Sequence, residues 1–263
     1  MAQTAKVDVS TPTGQAFVRL YNTDFAGAHA TLDRAIEREP EAPLYRAVKG
    51  ATYFFGELDR LHILQSDFFS DDERIIDRRK VTPDPAVRAE LFRSIAKARD
   101  LADVGLAANP GDRDALFAQC IAAGLVTDYA ALIEKRRLAS FSLAKQTQAW
   151  SIKLLALNPP FYDAHLAVGS VEYVLGSLPF FIRWFIRIDQ IEGSKQKAVR
   201  ELELVASHGR YYGPFARVLL AVIHLREKRP WEAEKLLAGL VDEYPSNQLL
   251  RRELGRLRGA RRR

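Results

Sequence analysis

The chain has little cysteine, glycine and proline, and it lacks an uninterrupted apolar run. Its 263 residues include a single cysteine, Cys120, so no internal disulfide can form. Fifteen glycines and 12 prolines are few for this length, which suits a helical protein. No run approaches the roughly 18 apolar residues that a membrane-spanning helix needs. Hydrophobic residues make up 48% of the chain and charged residues 27%, which indicates a soluble globular protein.

Net positive charge is absent from the body of the chain, where 32 basic and 32 acidic residues balance, and is concentrated at the C-terminus. The last 13 residues carry seven arginines and one glutamate, which equals the net charge of +6 for the whole chain. Nucleic-acid binders usually carry a basic face spread over the folded domain. We therefore expect no nucleic-acid partner, and we expect residues 258–263 to form a basic tail.

The N-terminus lacks the basic region and apolar core of a signal peptide. Its polar start, Ala2-Gln3-Thr4, would also suit a mature exported protein. Localisation stays open: cytoplasmic for a complete chain, exported or periplasmic if a signal peptide was removed. Residues 1–14 are expected to form a flexible segment.

Sequence motifs of catalysis and metal binding are absent. The chain contains no HExxH, no GxSxG and no phosphate-binding GxxxxGK[ST] motif, and its five histidines lack zinc-ligand spacing. The acidic residues 71–73 lack the ligand spacing and central glycine of an EF-hand, and they predict a helix N-terminus instead. The sequence predicts a protein that is not an enzyme, with no catalytic residues, metal or cofactor.

Prolines occur at a regular offset from small residues. Gly50, Cys120 and Gly169 each follow a proline by ten residues and lie within apolar stretches of helical pattern. The stretches before Pro40 and Pro245 carry apolar residues at i, i+4 and i+7, the stripe of an amphipathic helix. Proline cannot continue a helix, so each one predicts a boundary between stacked helices.

These residues resemble the tetratricopeptide repeat, a helical hairpin of about 34 residues with small residues at two interface positions and a proline near its end. Five degenerate repeats match in order between residues 15 and 257. The matching small residues are Gly50, Cys120, Gly169 and Ala221 in first helices and Ala28, Ala98, Ala198 and Ala233 in second helices. In the third repeat, Thr147 stands where alanine is expected.

The resemblance implies an all-α solenoid, a superhelix of stacked antiparallel hairpins, formed by residues 15–257 as one domain. A small residue in each helix lets its partner approach closely, and hairpins stack because none buries its apolar stripe alone. The spacing between prolines is unequal, which predicts insertions at 55–85, near 125–143 and at 178–193. Insertions in such arrays usually fall on one face, often the binding face.

The insertion at 178–188 reads LPFFIRWFIRI and is the most apolar of the three. As a helix it groups Phe181, Trp184 and Phe185 on one side and two arginines on another. Such a segment can form an exposed lid, a partner-binding helix or a membrane-surface foot. It can equally fold back and fill the groove as additional core.

In this family the groove is lined by outward positions of the first helices. The repeat register assigns Phe54, Tyr173, Phe215 and Val222 to this mostly apolar surface, together with Asp163. The resemblance implies a non-enzymatic scaffold that binds a protein or peptide through this groove or the insertions. The alternative is a membrane-peripheral protein attached through 178–188 and the arginine-rich C-terminus. These seven residues are the candidate partner contacts: Phe54, Tyr173, Phe181, Trp184, Phe185, Phe215 and Val222.

Overall fold

The computed structural model describes residues 4–64, 81–177 and 193–260, and within these ranges the chain is helical, without β-strands. The predicted all-α class is confirmed. A π-helical turn, Tyr129–Ile133, and a 3-10 turn, Tyr162–Ala164, accompany the α-helices. The α-helices of the described residues are α1 (Pro12–Tyr21), α2 (Phe25–Arg38), α3 (Pro43–Arg60), α4 (Pro85–Ala108), α5 (Arg113–Asp128), α6 (Arg137–Leu155), α7 (His165–Ser177), α8 (Lys195–His208), α9 (Gly213–Arg226), α10 (Pro230–Glu243) and α11 (Gln248–Ala260).

Helix ends follow the proline pattern. Helices α2, α4 and α10 each end two residues before Pro40, Pro110 and Pro245, and α6 ends four residues before Pro159. Several helices begin with a side-chain cap, such as Asp112, whose carboxylate accepts the N–H of Ala115 at 3.0 Å. The boundaries are therefore set by local chemistry that the sequence displays.

Each α-helix contacts the next one along the chain, and small residues lie at these contacts. Gly169 on α7 is the tightest case, because a Cβ added there would lie 3.0 Å from Leu202 and 3.1 Å from the backbone oxygen of Ala198. Ala198 and Ala233 are 0% exposed. The predicted close approach of paired helices is confirmed at these positions.

The contact between α5 and α6 uses hydroxyl groups where an alanine is expected. Thr127 Oγ1 lies 3.3 Å from Thr147 Oγ1, and Ser151 Oγ lies 3.4 Å from Cys120 Sγ. The Ser151 hydroxyl also donates to the Thr147 carbonyl oxygen at 3.0 Å. These polar groups satisfy one another, so Thr147 replaces alanine without leaving a buried hydroxyl unpaired.

Cys120 gives a first testable prediction, since burial raises the pKa of its thiol to about 11. The thiolate is the reactive form, and an unperturbed thiol has a pKa of about 8.5. At about pH 8, iodoacetamide is expected to alkylate the native protein more than about a hundredfold more slowly than the guanidinium-denatured protein. Mass spectrometry measures both rates. A native rate within tenfold of the denatured rate would contradict this burial.

The row of helices closes on itself, because α1 contacts the C-terminal helices. The Tyr21 hydroxyl donates to the Tyr211 carbonyl oxygen at 2.9 Å, and Asn247 Nδ2 donates to the Tyr21 carbonyl oxygen at 2.8 Å. The rings of Tyr21 and Tyr244 are 5.3 Å apart. The two ends of the array thus share one interface.

The N-terminal segment is part of the fold, in contrast to the flexible segment expected at 1–14. The Ala5 N–H donates to the Ala206 carbonyl oxygen at 3.0 Å, and the Asp8 carboxylate pairs with Arg210 at 3.0 Å. Val7 is 8% exposed. The sequence expectation failed here because the partners lie about 200 residues away along the chain.

Residues Arg113–Ile133 are, by length and composition, apolar enough to cross a membrane, and they are the one such stretch among the residues described. Their most apolar window has a mean hydropathy of 1.6 and is 67% buried inside the protein. Helix α5, within this stretch, packs against α3, α4 and α6. It therefore occupies the position of a central core helix.

Two buried glutamates each accept a hydrogen bond at the start of the next helix along the chain. Glu57 on α3 accepts the N–H of Asp84 at 2.7 Å, and Glu172 on α7 accepts the N–H of Ser194 at 2.9 Å. Asp84 and Ser194 are the N-cap residues of α4 and α8. The glutamates are 3% and 0% exposed. A buried carboxylate therefore fixes the start of the helix that follows each of these two predicted insertions.

Candidate functional site

An aromatic pair, Tyr211-Tyr212, fills part of the interior of the closed array. The Tyr211 ring stacks on Phe17 at 5.4 Å and on Phe117 at 5.8 Å, and lies 6.5 Å from Phe161. Tyr212 meets Phe17 and Phe117 at 5.4 Å each. These rings come from α1, α5 and the turns before α7 and α9. We call Tyr211-Tyr212 the plug.

Asp163 holds the plug in place. Its Oδ1 accepts the N–H groups of Tyr211 and Tyr212 at 2.8 and 2.6 Å, and its Oδ2 accepts the N–H of Arg210 at 2.7 Å. Burial raises the pKa of Asp163, although the three N–H donors oppose this shift. The repeat register assigned Asp163 to the groove surface, but the side chain is 2% exposed and structural.

At the edge of the plug, the rings of Phe55, Tyr212 and Phe215 form a surface that we call the inner face. The rings of Phe55 on α3 and Phe215 on α9 are 5.6 Å apart, and Phe215 is 6.4 Å from Tyr212. All three aromatic residues are half-buried. Helices far apart in sequence thus present aromatic rings to one solvent-accessible surface.

The candidate residues from the sequence fall into different environments. Phe215 and Val222 are half-buried on α9, seven residues apart and therefore on one side of the helix. Tyr173 is half-buried and packs against the same apolar cluster as Tyr212. Phe54 is 2% exposed and belongs to the core, so it presents no surface to a partner. The remaining three candidates, Phe181, Trp184 and Phe185, lie outside the described residues.

Sequence reasoning missed Phe55 and the plug. The plug had a visible signal, two adjacent tyrosines between Gly209 and Gly213.

The basic C-terminal helix bears on the hypothesis of membrane attachment. Helix α11 continues to Ala260 and packs on α10, as expected for a capping helix. Two of its arginines are paired: Arg256 with Glu253 at 2.6 Å and Arg258 with Glu234 at 3.1 Å. The other proposed attachment, 178–188, lies outside the described residues, so membrane attachment stays an untested hypothesis.

Within the described ranges, no group of three or more His, Cys, Asp or Glu residues is placed to hold a metal ion. Comparison with models of protein families, with curated proteins and with solved structures finds no match to this chain.

Proposed function

We propose that the protein is a non-enzymatic scaffold of the tetratricopeptide kind, which binds an apolar segment of a protein partner on its inner face. The observation that carries this proposal is the pairing of Phe55 and Phe215, half-buried rings from helices far apart in the chain that lie 5.6 Å from each other. Concave surfaces lined by apolar and aromatic side chains with few polar groups are the usual form of a binding site.

The repeat assignment is supported by three features of the packing. Consecutive helices contact one another, small residues lie where they touch, and the helices end shortly before prolines. A tetratricopeptide hairpin requires all three, because its helices approach closely and its repeats stack in chain order. The departures, which are the insertion sites after Glu57 and Glu172, lie between the two helices of a hairpin.

The inner face suits a short partner segment better than a folded domain. The plug and the N-terminal segment already occupy part of the interior, so a second folded domain would find little room. A helical or extended segment can pack a few apolar side chains against the touching rings of Phe55 and Phe215 without displacing the plug. This mode of recognition, a short apolar segment in a helical groove, recurs among peptide-binding proteins.

The test uses a display library of random peptides selected on the wild-type protein. The Phe215→Ala variant is expected to bind the enriched peptides at least about tenfold more weakly, because buried aromatic anchors carry most of the binding energy at such sites. Val104→Ala is the matched control, since Val104 is 71% exposed on α4, away from the inner face. Fluorescence anisotropy gives the affinities, and circular dichroism checks folding. Equal binding by both variants would contradict the proposal.

A further inference from the structure

We propose that the surface under the N-terminal segment is a docking site for a non-helical segment of a partner protein, in which a small apolar residue precedes a carboxylate. The chain's own residues 4–10, which we call the strap, occupy this surface in cis. The surface, which we call the strap site, is formed by Gly14, Ala206, Arg210 and Gly213. No residue of the inner face belongs to it, so the proposal does not rest on the proposed function.

The strap itself displays the recognition that the site offers. The Ala5 N–H donates to the Ala206 carbonyl oxygen at 3.0 Å, and the Asp8 N–H donates to the Arg210 carbonyl oxygen at 3.3 Å. Between these two bonds, the Val7 side chain is 8% exposed and belongs to the main core cluster. Backbone bonds of this kind accept any sequence, whereas the pocket for a side chain gives selectivity. The site therefore favours a small apolar residue at the position of Val7.

Arg210 supplies the selectivity for a carboxylate. Its Nε and a terminal nitrogen lie 3.1 and 3.0 Å from one carboxylate oxygen of Asp8. The guanidinium carbon lies 5.2 Å from the centroid of the Tyr211 ring, and the backbone N–H of Arg210 donates to Asp163 at 2.7 Å. The body of the protein thus holds this cation in position, while 40% of its side chain remains exposed. Such an arginine can receive a carboxylate from another chain.

Two glycines at helix starts make room for the backbone of the bound segment. A Cβ added at Gly14, in the first turn of α1, would lie 1.7 Å from the backbone oxygen of Asp8. A Cβ added at Gly213, the first residue of α9, would lie 3.2 Å from the backbone oxygen of Ala5. Glycine is used where a backbone must approach another closely. The site is therefore shaped to accept a peptide backbone.

Few contacts hold the strap, so a partner segment can replace it. Val7 is its one buried residue, whereas Thr4, Lys6, Val9 and Ser10 are exposed. The ion pair between Asp8 and Arg210 is half-exposed, and such pairs contribute little stability. Ordering a chain segment also costs conformational entropy. Segments with few buried apolar contacts open locally while the rest of the protein stays folded.

Hydrogen exchange of the wild-type protein, followed by NMR, tests whether the strap opens in this way. After correction for intrinsic rates, the N–H groups of Ala5 and Asp8 are expected to exchange at least about a hundredfold faster than that of Tyr211. The Tyr211 N–H donates to the buried carboxylate of Asp163 and therefore reports on the core. Equal protection of all three groups would mean that the strap leaves only when the protein unfolds, which would overturn the proposal.

A peptide added in trans tests whether the site accepts a second segment. The full-length variant Val7→Ser/Asp8→Ala weakens the strap and leaves the strap site unchanged. A fluorescent peptide with the sequence of residues 4–10, TAKVDVS, is expected to bind this variant at least about tenfold more tightly than the wild type, whose own strap competes at high effective concentration. Fluorescence anisotropy gives the affinities, and circular dichroism checks folding. Equal affinities, or no binding to the folded variant, would overturn the proposal.

Two further substitutions in this variant assign the contact. Arg210→Gln is expected to weaken binding of the peptide roughly threefold, the size expected for a half-exposed ion pair. Phe215→Ala, on the inner face, is expected to change it by less than about 1.5-fold, because the two surfaces share no residue. Unchanged binding by Arg210→Gln would overturn the stated ligand chemistry. A loss with Phe215→Ala equal to that with Arg210→Gln would overturn the separation of the strap site from the inner face.

Discussion

Replacing Asp163 with alanine is expected to lower the free energy of unfolding by about 3–5 kcal/mol. The change removes the acceptor of three buried backbone N–H groups, those of Arg210, Tyr211 and Tyr212. Each unsatisfied buried donor costs about 1–3 kcal/mol. The loss also loosens the plug, whose rings contact α1 and α5, so packing energy is lost in addition.

Urea denaturation followed by circular dichroism measures this effect. Asp163→Asn keeps one acceptor oxygen and places an amide group where the other oxygen was. Its free energy of unfolding is therefore expected to lie between those of Asp163→Ala and the wild type. Asp242→Ala is the matched control, since Asp242 is exposed on α10 and its loss is expected to change stability by less than about 0.5 kcal/mol. A loss below about 1 kcal/mol for Asp163→Ala would show that the plug does not depend on this carboxylate.

Helix boundaries and helix pairing could be predicted from the sequence because their causes are local. Pro40, Pro110 and Pro245 each follow a helix by two residues, and Gly169 marks a close contact between α7 and α8. Proline chemistry and side-chain size act over a few residues, so a pattern of spacing records them directly.

Closure of the array could not be predicted, because its contacts join residues far apart in the chain. Tyr21 meets Tyr211, and Asp8 meets Arg210, across about 190 and about 200 residues respectively. A tyrosine in a turn and an aspartate near a terminus are each compatible with full exposure. Their burial depends on where the packing of all the helices brings the two ends of the chain together, which no local pattern records.

The inner face was predicted in part. The repeat register included Phe215, but on α3 it chose Phe54, which the structure places in the core, with Phe55 on the inner face. Adjacent residues on an α-helix point about 100° apart, so an error of one position exchanges a core residue for a surface residue. Small errors of this kind are expected when a degenerate repeat sets the register from one small residue.

Replacing Glu172 with alanine is the second large effect we expect, a loss of about 3–5 kcal/mol in the free energy of unfolding. The carboxylate is 0% exposed, accepts the Ser194 N–H at 2.9 Å, and pairs with Lys197 Nζ at 2.7 Å. Removing it takes the acceptor from the Ser194 N–H and the carboxylate from the partly buried Lys197 ammonium group. It also releases Ser194, whose hydroxyl caps α8 by accepting the Lys197 N–H at 3.2 Å.

Glu57→Ala provides the comparison, because Glu57 anchors α4 in the same way but with a more exposed partner. The side chain of Arg60 is 49% exposed, against 29% for Lys197, so water can solvate the guanidinium when the carboxylate is lost. We expect Glu57→Ala to cost about 1–3 kcal/mol, less than Glu172→Ala. Urea denaturation gives the free energies of unfolding of the two variants.

The double variant Glu172→Ala/Lys197→Met is expected to be more stable than Glu172→Ala alone. If removing the lysine restores no stability, the loss of the ion pair with Lys197 does not explain the effect of Glu172→Ala, and the other contacts of Glu172, including the Ser194 N–H, must account for it.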